Sequence, residues 1–507
     1  MLPAVVEAAH DADERLAWDE AAVWWRRAVE LAGAVVPAET TLALGQALLR
    51  SGQAVQARAE LMAAVGDARR RGDTTLLAEA ALLVGDAVSD IAPDRTLLAL
   101  LDEALAAHDL PVGTRVRLEA RRAMVTFWTP GGVDAAREAA AHAVADGQAA
   151  GDDDALGAAL IARQFTLRGP DDPAERIDFG EQVRAFAERR GDEELRFRAC
   201  RWLIPDLFHR GELFAATTTL DVAAGIAEAR RDPRQRWWVL VFRALFAGFR
   251  GRGEECVALA CETRALGRRL GEPAADVYCV AQLFPEYRRT GWVGELEAEL
   301  RTQIGAFPTL PTLSCMLTLL LADTGRVDDA AALLRSLATP DALPRDQLLL
   351  ASWAILGEAA VVLGDRSCAG ELAVRLAPFA RRNLIQGVPV GWGSAAWHLA
   401  RLCRVAGDET GAQRHAATAS ALHRRWGAGA WGPPLAGLAV AAGRELSARE
   451  REVVALLARG LTNKAIAGAL TLSVHTVERH VVNVRRKLDL ANRGEVSAWA
   501  HQQGFVD

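Results

Sequence analysis

Side chains near the C-terminus have the types and spacing needed to bind nucleic acid. In the stretch from Ser473 to Leu488, polar residues recur on one side of a predicted helix and aliphatic residues on the other. Side chains near the start of a helix in the B-DNA major groove can reach base edges, and helix N-termini offer free amides to phosphates. The outward face of the predicted helix holds His475, Glu478, Arg479, Val482, Asn483 and Arg486.

Two short helices joined by a tight turn would carry this face. Thr462 is placed to cap a helix that runs through Leu470, with Ile466 facing inward, and Ser473 is placed to cap the next helix. That longer helix has an inward apolar stripe at a 4-3-4 spacing: Val477, Val481, Val484 and Leu488. The arrangement predicts a helix-turn-helix.

A helix is predicted on each side of this pair. Residues 447–450 (SARE) form a capping box ahead of a helix that carries Val453, Leu456 and Leu457 and ends at Gly460. Asn492 is placed to cap a last helix with Val496 and Trp499, which ends at Gly504. The tail is therefore expected to be a small four-helix domain over residues 446–507.

The charge of the chain divides at the same boundary. From Leu446 onward there are nine basic and six acidic residues, a net charge of +3, and the two lysines of the chain, Lys464 and Lys487, lie here. The preceding residues hold fifty basic and fifty-nine acidic groups, a net charge of −9. A basic module on an acidic body favours phosphate binding by the tail. The alternative is a set of ordinary amphipathic helices with a solvated charged face.

The tail resembles the helix-turn-helix of LuxR-type transcription regulators. The resemblance covers about an eighth of the chain without gaps, and its motifs are dense. The matching residues are Leu446, Arg449, Glu450, Arg451, Glu452, Val453, Leu457, Gly460, Asn463, Lys464, Ile466, Ala467, Leu470, Ser473, Thr476, Val477, His480, Val484, Lys487, Leu488 and Arg493.

The resemblance implies roles for individual residues. It places Glu478, Arg479 and Val482 at the base-reading positions, with Asn483 beside them on the same face, and it implies a dimer contact on the last helix. Glu478 stands where many members of the family carry Lys, so the base preference cannot be transferred. The residues expected near phosphates are Asn463, Lys464, Ser473, Thr476, Arg486 and Lys487.

The first 426 residues show a repeated pattern of mostly 34–43 residues. Each unit has a turn with Gly, a small residue five positions later and then larger apolar residues. This pattern predicts helical hairpins stacked into a tetratricopeptide-like solenoid, with an irregular all-helical domain as the alternative. Clear turns are expected at Gly52, Gly211, Gly325, Gly364 and Gly407, weaker ones at Gly131, Gly251 and Gly291, and less certain units near Leu16, Ala92 and Asp172.

The body also resembles the repeat region of large ATP-dependent LuxR-type regulators. The resembling segments are individually weak: 68–73, 168–177, 234–255 and 415–431. Such regulators carry a nucleotide-binding module ahead of their repeats, and this chain would begin inside the first repeats. A GxxxxGK[ST] motif is absent because no Lys precedes Lys464, so switching driven by ATP is not expected.

Other motifs point to structure rather than chemistry. The glycines at 427, 429 and 432 have the spacing of a dinucleotide fingerprint, but a helix precedes them, so residues 427–445 are predicted to form a linker. Three acidic residues from Asp152 to Asp154 fit a solvated helix start better than a metal site. No clustered ligands predict a metal or a cofactor, and the seven dispersed cysteines fit a reducing cytoplasm.

Aromatic residues and one irregular segment leave a ligand site open. The tryptophans near 24, 237, 392 and 397 fit core packing better than a ligand groove. The segment 386–397 is the least regular part of the late repeats and is the first candidate for a functional loop.

Together these patterns predict an all-α, cytoplasmic, non-enzymatic regulator. Its tail would bind double-stranded DNA, with a homodimer on DNA as one arrangement, and its body would bind a protein or small-molecule effector. No apolar run approaches the ~18 residues that span a membrane. The rival readings are an interaction scaffold whose tail does not act on DNA and an enzyme with an unrecognised helical site.

Overall fold

The computed structural model consists of helices and one small β-hairpin. It describes residues 1–33, 36–87, 91, 93–171, 173–339, 341–435, 446, 448–488, 493–502 and 505. Within these residues the helices of the body are α1 (Leu2–Glu14), α2 (Trp18–Ala32), α3 (Ala38–Arg50), α4 (Ala54–Arg71), α5 (Thr74–Asp86), α6 (Arg95–Leu105), α7 (Val112–Thr126), α8 (Gly132–Ala150), α9 (Asp153–Thr166), α10 (Ala174–Arg190), α11 (Glu193–Arg210), α12 (Leu213–Arg230), α13 (Pro233–Phe249), α14 (Gly253–Arg269), α15 (Ala275–Thr290), α16 (Glu297–Ala306), α17 (Pro311–Asp323), α18 (Val327–Leu337), α19 (Leu349–Leu363), α20 (Arg366–Leu376), α21 (Ala395–Ala406) and α22 (Glu409–Trp426).

The remaining elements are two short 3-10 helices, the hairpin and the tail. The 3-10 turns span Val293–Leu296 and Ala377–Phe379, and the hairpin strands are β1 (Asn383–Gln386) and β2 (Val390–Ser394). The tail helices are α23 (Ala448–Ala458), α24 (Asn463–Leu470), α25 (Val474–Leu488) and α26 (Arg493–Gln502). The all-α fold class, with a repeat body followed by a four-helix domain, is confirmed.

The repeat pattern corresponds to helical hairpins. All eight turn glycines predicted from the period have φ between +70° and +95°, the left-handed conformation that ends a helix most readily at Gly. The small residues five positions after the clear turns are fully buried, so consecutive helices approach closely there. These residues are Ala57, Ala216, Ala330, Ala369 and Ala412.

Two Leu-Gly pairs mark close helix contacts, one between the two helices of a hairpin and one between neighbouring hairpins. A Cβ added to Gly45 would lie 2.5 Å from the side chain of Leu61, and a Cβ on Gly357 would lie 3.2 Å from that of Leu402. In both cases the missing side chain is what allows a neighbouring helix to pack.

The body has two apolar cores, and its early helices also contact later ones. One core joins α1 to α7, and the other extends from α7 to the end of α22. Trp18 Nε1 donates a hydrogen bond to the carbonyl of Arg230 at 3.0 Å, and Arg234 donates to the carbonyl of Asp86 at 2.5 Å. The solenoid therefore curves enough to bring the start of α2 and the end of α5 against the junction between α12 and α13.

The segment proposed as an irregular loop is a buried antiparallel hairpin, so the prediction of a loop was wrong. Asn383 pairs with Ser394 and Gln386 with Val390, and the register shifts between Asn383 and Ile385. Nearly every hairpin residue is buried, because both faces pack against helices. A strand that is covered on both faces needs no alternation of polar and apolar residues, so its sequence lacks the usual strand signal.

Polar contacts fix the hairpin to distant parts of the body. Asn383 donates to the carbonyl of Phe208 at 3.1 Å, Arg168 donates to the carbonyl of Gly387 at 3.1 Å, and the amide of Ser394 donates to Nε2 of His423 at 3.0 Å. Burial lowers the pKa of His423 to about 4, which favours the neutral ring that can accept this bond.

The start of the predicted linker packs on the body. Gly429 approaches the backbone of Arg250, and Trp397 donates from its indole nitrogen to the carbonyl of Gly432 at 2.9 Å. Residues 436–445 lie outside the described residues, as does the predicted cap at Ser447. The boundaries of the linker and of the two domains stay a prediction.

The acidic run at the start of α9 behaves as a helix start. Asp152 accepts hydrogen bonds from the amides of Asp154 and Ala155, both at 3.0 Å, and Asp153 and Asp154 pair with Arg190. Each carboxylate therefore has a structural partner, as the helix-start interpretation requires.

Candidate nucleic-acid interface

The tail is a compact domain with an apolar core of its own. The inward stripe of α25 is buried together with Val453, Leu457 and Ile466. Arg449 connects the first helix to the end of the second by donating to the carbonyl of Leu470 at 2.6 Å. These contacts fix the angle between α24 and α25.

Local hydrogen bonds cap the starts of α24 and α25. Oγ1 of Thr462 accepts from the amide of Ala465 at 3.3 Å, and Oγ of Ser473 accepts from the amide of Thr476 at 3.1 Å, so both predicted caps are confirmed. Thr471 adopts the left-handed conformation with φ +54°, which ends α24. The predicted cap at Asn492 lies outside the described residues.

The four residues predicted to read bases lie on one side of α25. Glu478 and Val482 are exposed, with 54% of Val482 accessible, and Arg479 and Asn483 are half-buried. The base-reading roles of these residues stay a prediction.

Arg479 and Asn483 are half-buried because the body lies against them. Nη2 of Arg479 donates to the carbonyl of Gly291 at 3.1 Å, at the end of α15. A Cβ on Gly294 would lie 3.0 Å from Nη1 of Arg479, and a Cβ on Gly325 would lie 3.4 Å from Oδ1 of Asn483. Burial lowers the pKa of Arg479, while Asp323 and Glu295 attract its positive charge.

The predicted phosphate-binding residues lie around the start of both helices. Lys464 and Ser473 are exposed, while Asn463 and Thr476 are half-buried. Oδ1 of Asn463 accepts a hydrogen bond from Arg493 at 2.7 Å, so Arg493 positions this amide. The side chains of Arg486 and Lys487 lie outside the described residues, although their backbone belongs to α25.

The dimer contact predicted on the last helix needs a correction. Val496 is fully buried in the core of the tail, so its side chain cannot reach a second chain. Trp499 is half-buried and packs against the ring of Phe505, with 5.5 Å between the ring centroids. The sequence pattern could not separate the two, because both lie on the apolar side of a short helix.

Next to the contact with Arg479 lies a buried ionic network that the sequence did not predict. Arg288 pairs with Asp323 at 2.7 Å and with Glu358 at 3.3 Å, and Glu358 also contacts Arg401 and His398. Burial opposes ionisation of Glu358, but Arg401, His398 and Arg288 outweigh it and hold the pKa of Glu358 well below its usual range. These residues are far apart in sequence, so no motif could have indicated them.

The geometry of the tail agrees with a comparison to known families. Residues 444–500 match the family model of bacterial regulatory proteins, luxR family. The C-terminal segment is a luxR-family domain. Its helices α23 to α26 correspond to the four predicted from the sequence, and this resemblance is confirmed.

Curated relatives share this domain alone. The chain is 37% identical over 62 residues to the transcriptional regulatory protein LiaR of Bacillus subtilis and 41% identical over 59 residues to the nitrate/nitrite response regulator protein NarL of Escherichia coli K12. Each match covers 12% of this chain, and 29% and 27% of the respective relative. The chain thus spans less than a third of the length of these relatives.

Two solved structures that align with most or all of the chain are only distantly similar to it. The crystal structure of the APC/C hetero-tetramer Cut9-Hcn1 is 14% identical, with a TM-score of 0.41, and the alignment covers 100% of this chain and 91% of that one. Yeast Tom70 is 12% identical, with a TM-score of 0.30 and coverage of 83% and 92%. Across the described part of the chain, no helix is both long and apolar enough to cross a membrane.

Proposed function

We propose that this protein is a sequence-specific DNA-binding transcription regulator. The observation that carries the proposal is the luxR-family domain with the outward face of α25, where Glu478, Arg479 and Val482 share one side of a helix whose other side is buried. Such a helix fits the major groove, where each base pair presents a distinct pattern of donors and acceptors. A regulator of this kind acts where the DNA is, so a cytoplasmic location is part of the proposal.

Phosphate contacts would orient α25 in the groove. Lys464 and Ser473 lie at the starts of α24 and α25, where free backbone amides add to the attraction for phosphate. Asn463, which Arg493 holds in place, belongs to the same group, and so do Thr476, Arg486 and Lys487. The net charge of +3 on the tail supports this assignment.

The repeat body would control when the tail reaches DNA. In the described arrangement Arg479 donates to the carbonyl of Gly291, and residues of the body lie against both Arg479 and Asn483, so the body and a duplex would compete for this face of α25. A partner that changes this contact would shift the fraction of chains competent for DNA binding. We therefore assign to the body the binding of a protein or small-molecule signal. A non-enzymatic role fits, because the proposed action needs only binding.

Selection of bound duplexes from a random pool tests the proposal. The full chain and the fragment 446–507 should both enrich a common sequence, and binding should weaken as salt rises because counterions are released from phosphates. The second candidate is an interaction scaffold whose tail does not act on DNA. The contact between α25 and the body favours it, because it shows that the outward face of α25 can bind protein. Failure to enrich any sequence, with no salt-dependent binding, would support the scaffold.

A further inference from the structure

A cavity of about 280 Å³ lies between the hairpin, α13, α15 and the segment that follows α22. This volume is near the lower end of the roughly 300–1,000 Å³ typical of small-molecule sites. The hairpin contributes Pro389, Val390 and Trp392 to the wall. The segment 386–397, predicted to be a functional loop, therefore forms part of a cavity, although it is not a loop.

One wall of the cavity is aromatic. Phe249, Trp392, Trp397 and Trp431 line it, with ring centroids 5.1 Å apart for Trp397 and Trp431 and 6.5 Å apart for Trp392 and Trp431. Aromatic rings bind other flat rings through stacked or edge-to-face contacts. A flat molecule gains the most from such a wall.

The charged groups of the lining neutralise one another. Arg288 pairs with Asp323 at 2.7 Å, and Arg289 pairs with Glu286. A charged ligand would lose its hydration and would have to compete with an existing ion pair for its counter-charge. The lining therefore selects an uncharged molecule.

Two buried polar atoms at the cavity lack partners among the described residues. Gln282 is 3% exposed, and its Nε2 donates to the carbonyls of Val241 at 2.9 Å and Pro389 at 3.3 Å. These two acceptors fix the orientation of the amide and leave Oε1 without a donor. The buried Nε1 of Trp431 likewise lacks an acceptor. Buried polar groups are nearly always paired, so a partner that reached either atom, a ligand or a water molecule, would be stabilised there.

We infer that this cavity is an effector site for a flat, uncharged molecule of about two fused rings, with one donor for Gln282 and one acceptor for Trp431. Ligand binding at this site does not depend on DNA, whereas its role as a regulatory site rests on the proposed function. A bicyclic lactam such as 2-quinolone has this combination of shape, N–H and C=O.

Helix α15 connects the cavity to the tail. It carries Gln282 on the cavity wall, and the carbonyl of Gly291 at its end accepts the hydrogen bond from Arg479. Asp323 lines the cavity and also attracts the charge of Arg479. Pro285 lies inside α15 between these points, and a proline lacks the N–H for the helical hydrogen bond, so the helix can bend there. Occupancy of the cavity is thereby coupled to the position of α25.

Titration calorimetry on the full chain, without DNA, tests the site. 2-Quinolone should bind saturably, and N-methyl-2-quinolone, which lacks the donor, should bind about three- to tenfold more weakly. Gln282→Leu should remove this preference, because the acceptor is gone. Gln303→Leu, at a buried glutamine that does not line the cavity, should retain it. Trp431→Phe, which keeps a ring but no N–H, should weaken both ligands equally.

The outcomes separate this inference from the proposed function. Absence of saturable binding, or an unchanged preference in Gln282→Leu, overturns the site, and neither result concerns DNA. For the coupling, saturating 2-quinolone should change the DNA affinity of the full chain at least threefold and leave the fragment 446–507 unaffected. An unchanged affinity of the full chain overturns the regulatory part, whereas failure of both the full chain and the fragment to bind DNA overturns the proposed function instead.

Discussion

Replacement of Arg479 by alanine should weaken DNA binding less in the full chain than in the isolated tail. In the tail, Arg479→Ala removes one base contact and should cost about 1–3 kcal/mol on the selected sequence. In the full chain the same change also removes the hydrogen bond to Gly291, which competes with DNA. A hydrogen bond from a charged donor contributes about 1.5–3 kcal/mol when buried, and we expect about 1 kcal/mol here because Arg479 is only half-buried.

The loss of DNA affinity caused by Arg479→Ala should therefore be smaller in the full chain than in the isolated tail by about 1 kcal/mol, or roughly fivefold in the dissociation constant. Fluorescence anisotropy of a labelled duplex at fixed salt gives the dissociation constants of wild type and variant, each as the full chain and as the isolated tail. Arg459→Ala is the matched control: this exposed arginine of the tail has no contact with the body among the described contacts, so its replacement should have the same effect in the full chain and in the isolated tail. Equal losses for Arg479→Ala in the full chain and the tail would refute the competition between the body and DNA.

Three further predictions concern charge, pH and packing. Log affinity falls as log salt rises, and Lys464→Ala should reduce the steepness of this fall by about one, as measured by anisotropy between 50 and 200 mM salt. Arg236→Ala, on the surface of the body, should leave the steepness unchanged. Burial lowers the pKa of His423 from 6.5 to about 4, so the folded protein holds this ring neutral. The free energy of unfolding should therefore be highest above pH 6.5 and should fall by about 3 kcal/mol as the pH drops to 4. Hydrogen exchange of the β2 amides should show this loss in wild type but not in His423→Gln. In urea unfolding, Gly45→Ala should destabilise the body by about 1–3 kcal/mol, because the added methyl group overpacks the contact with the neighbouring helix. Gly225→Ala lies on an exposed face of α12 with open space around it and should stabilise the body by about 0.5–1 kcal/mol. The same sign for both would show that Gly45 is not needed for the helices to approach closely.

Much of the architecture could be predicted because it depends on local physics. The caps at Thr462 and Ser473, the apolar stripe of α25 and the left-handed turn glycines each involve residues within one or two helical turns. A repeat amplifies such local signals, because every unit has to bury the same kind of face against its neighbours. The fold class and the luxR-family tail were therefore determined by the sequence.

The tertiary structure decided the features that join distant segments. The hairpin from Asn383 to Ser394 lacks a strand signal, because helices that lie far away in sequence cover both of its faces. Val496 and Trp499 lie on one apolar side of α26, and only the packing of the whole tail buries the first completely and the second in part.

The same reason applies to the cavity and to the contact between the tail and the body. Trp431 and Arg479 come together with Gln282 and the end of α15 only because the solenoid curves and returns the C-terminal segments to its middle. That curvature is the sum of small rotations between successive helical hairpins, and each rotation depends on how side chains interlock across the interface. A sequence pattern records which residues are buried, but the angle at which buried faces meet is settled only when the chain is packed.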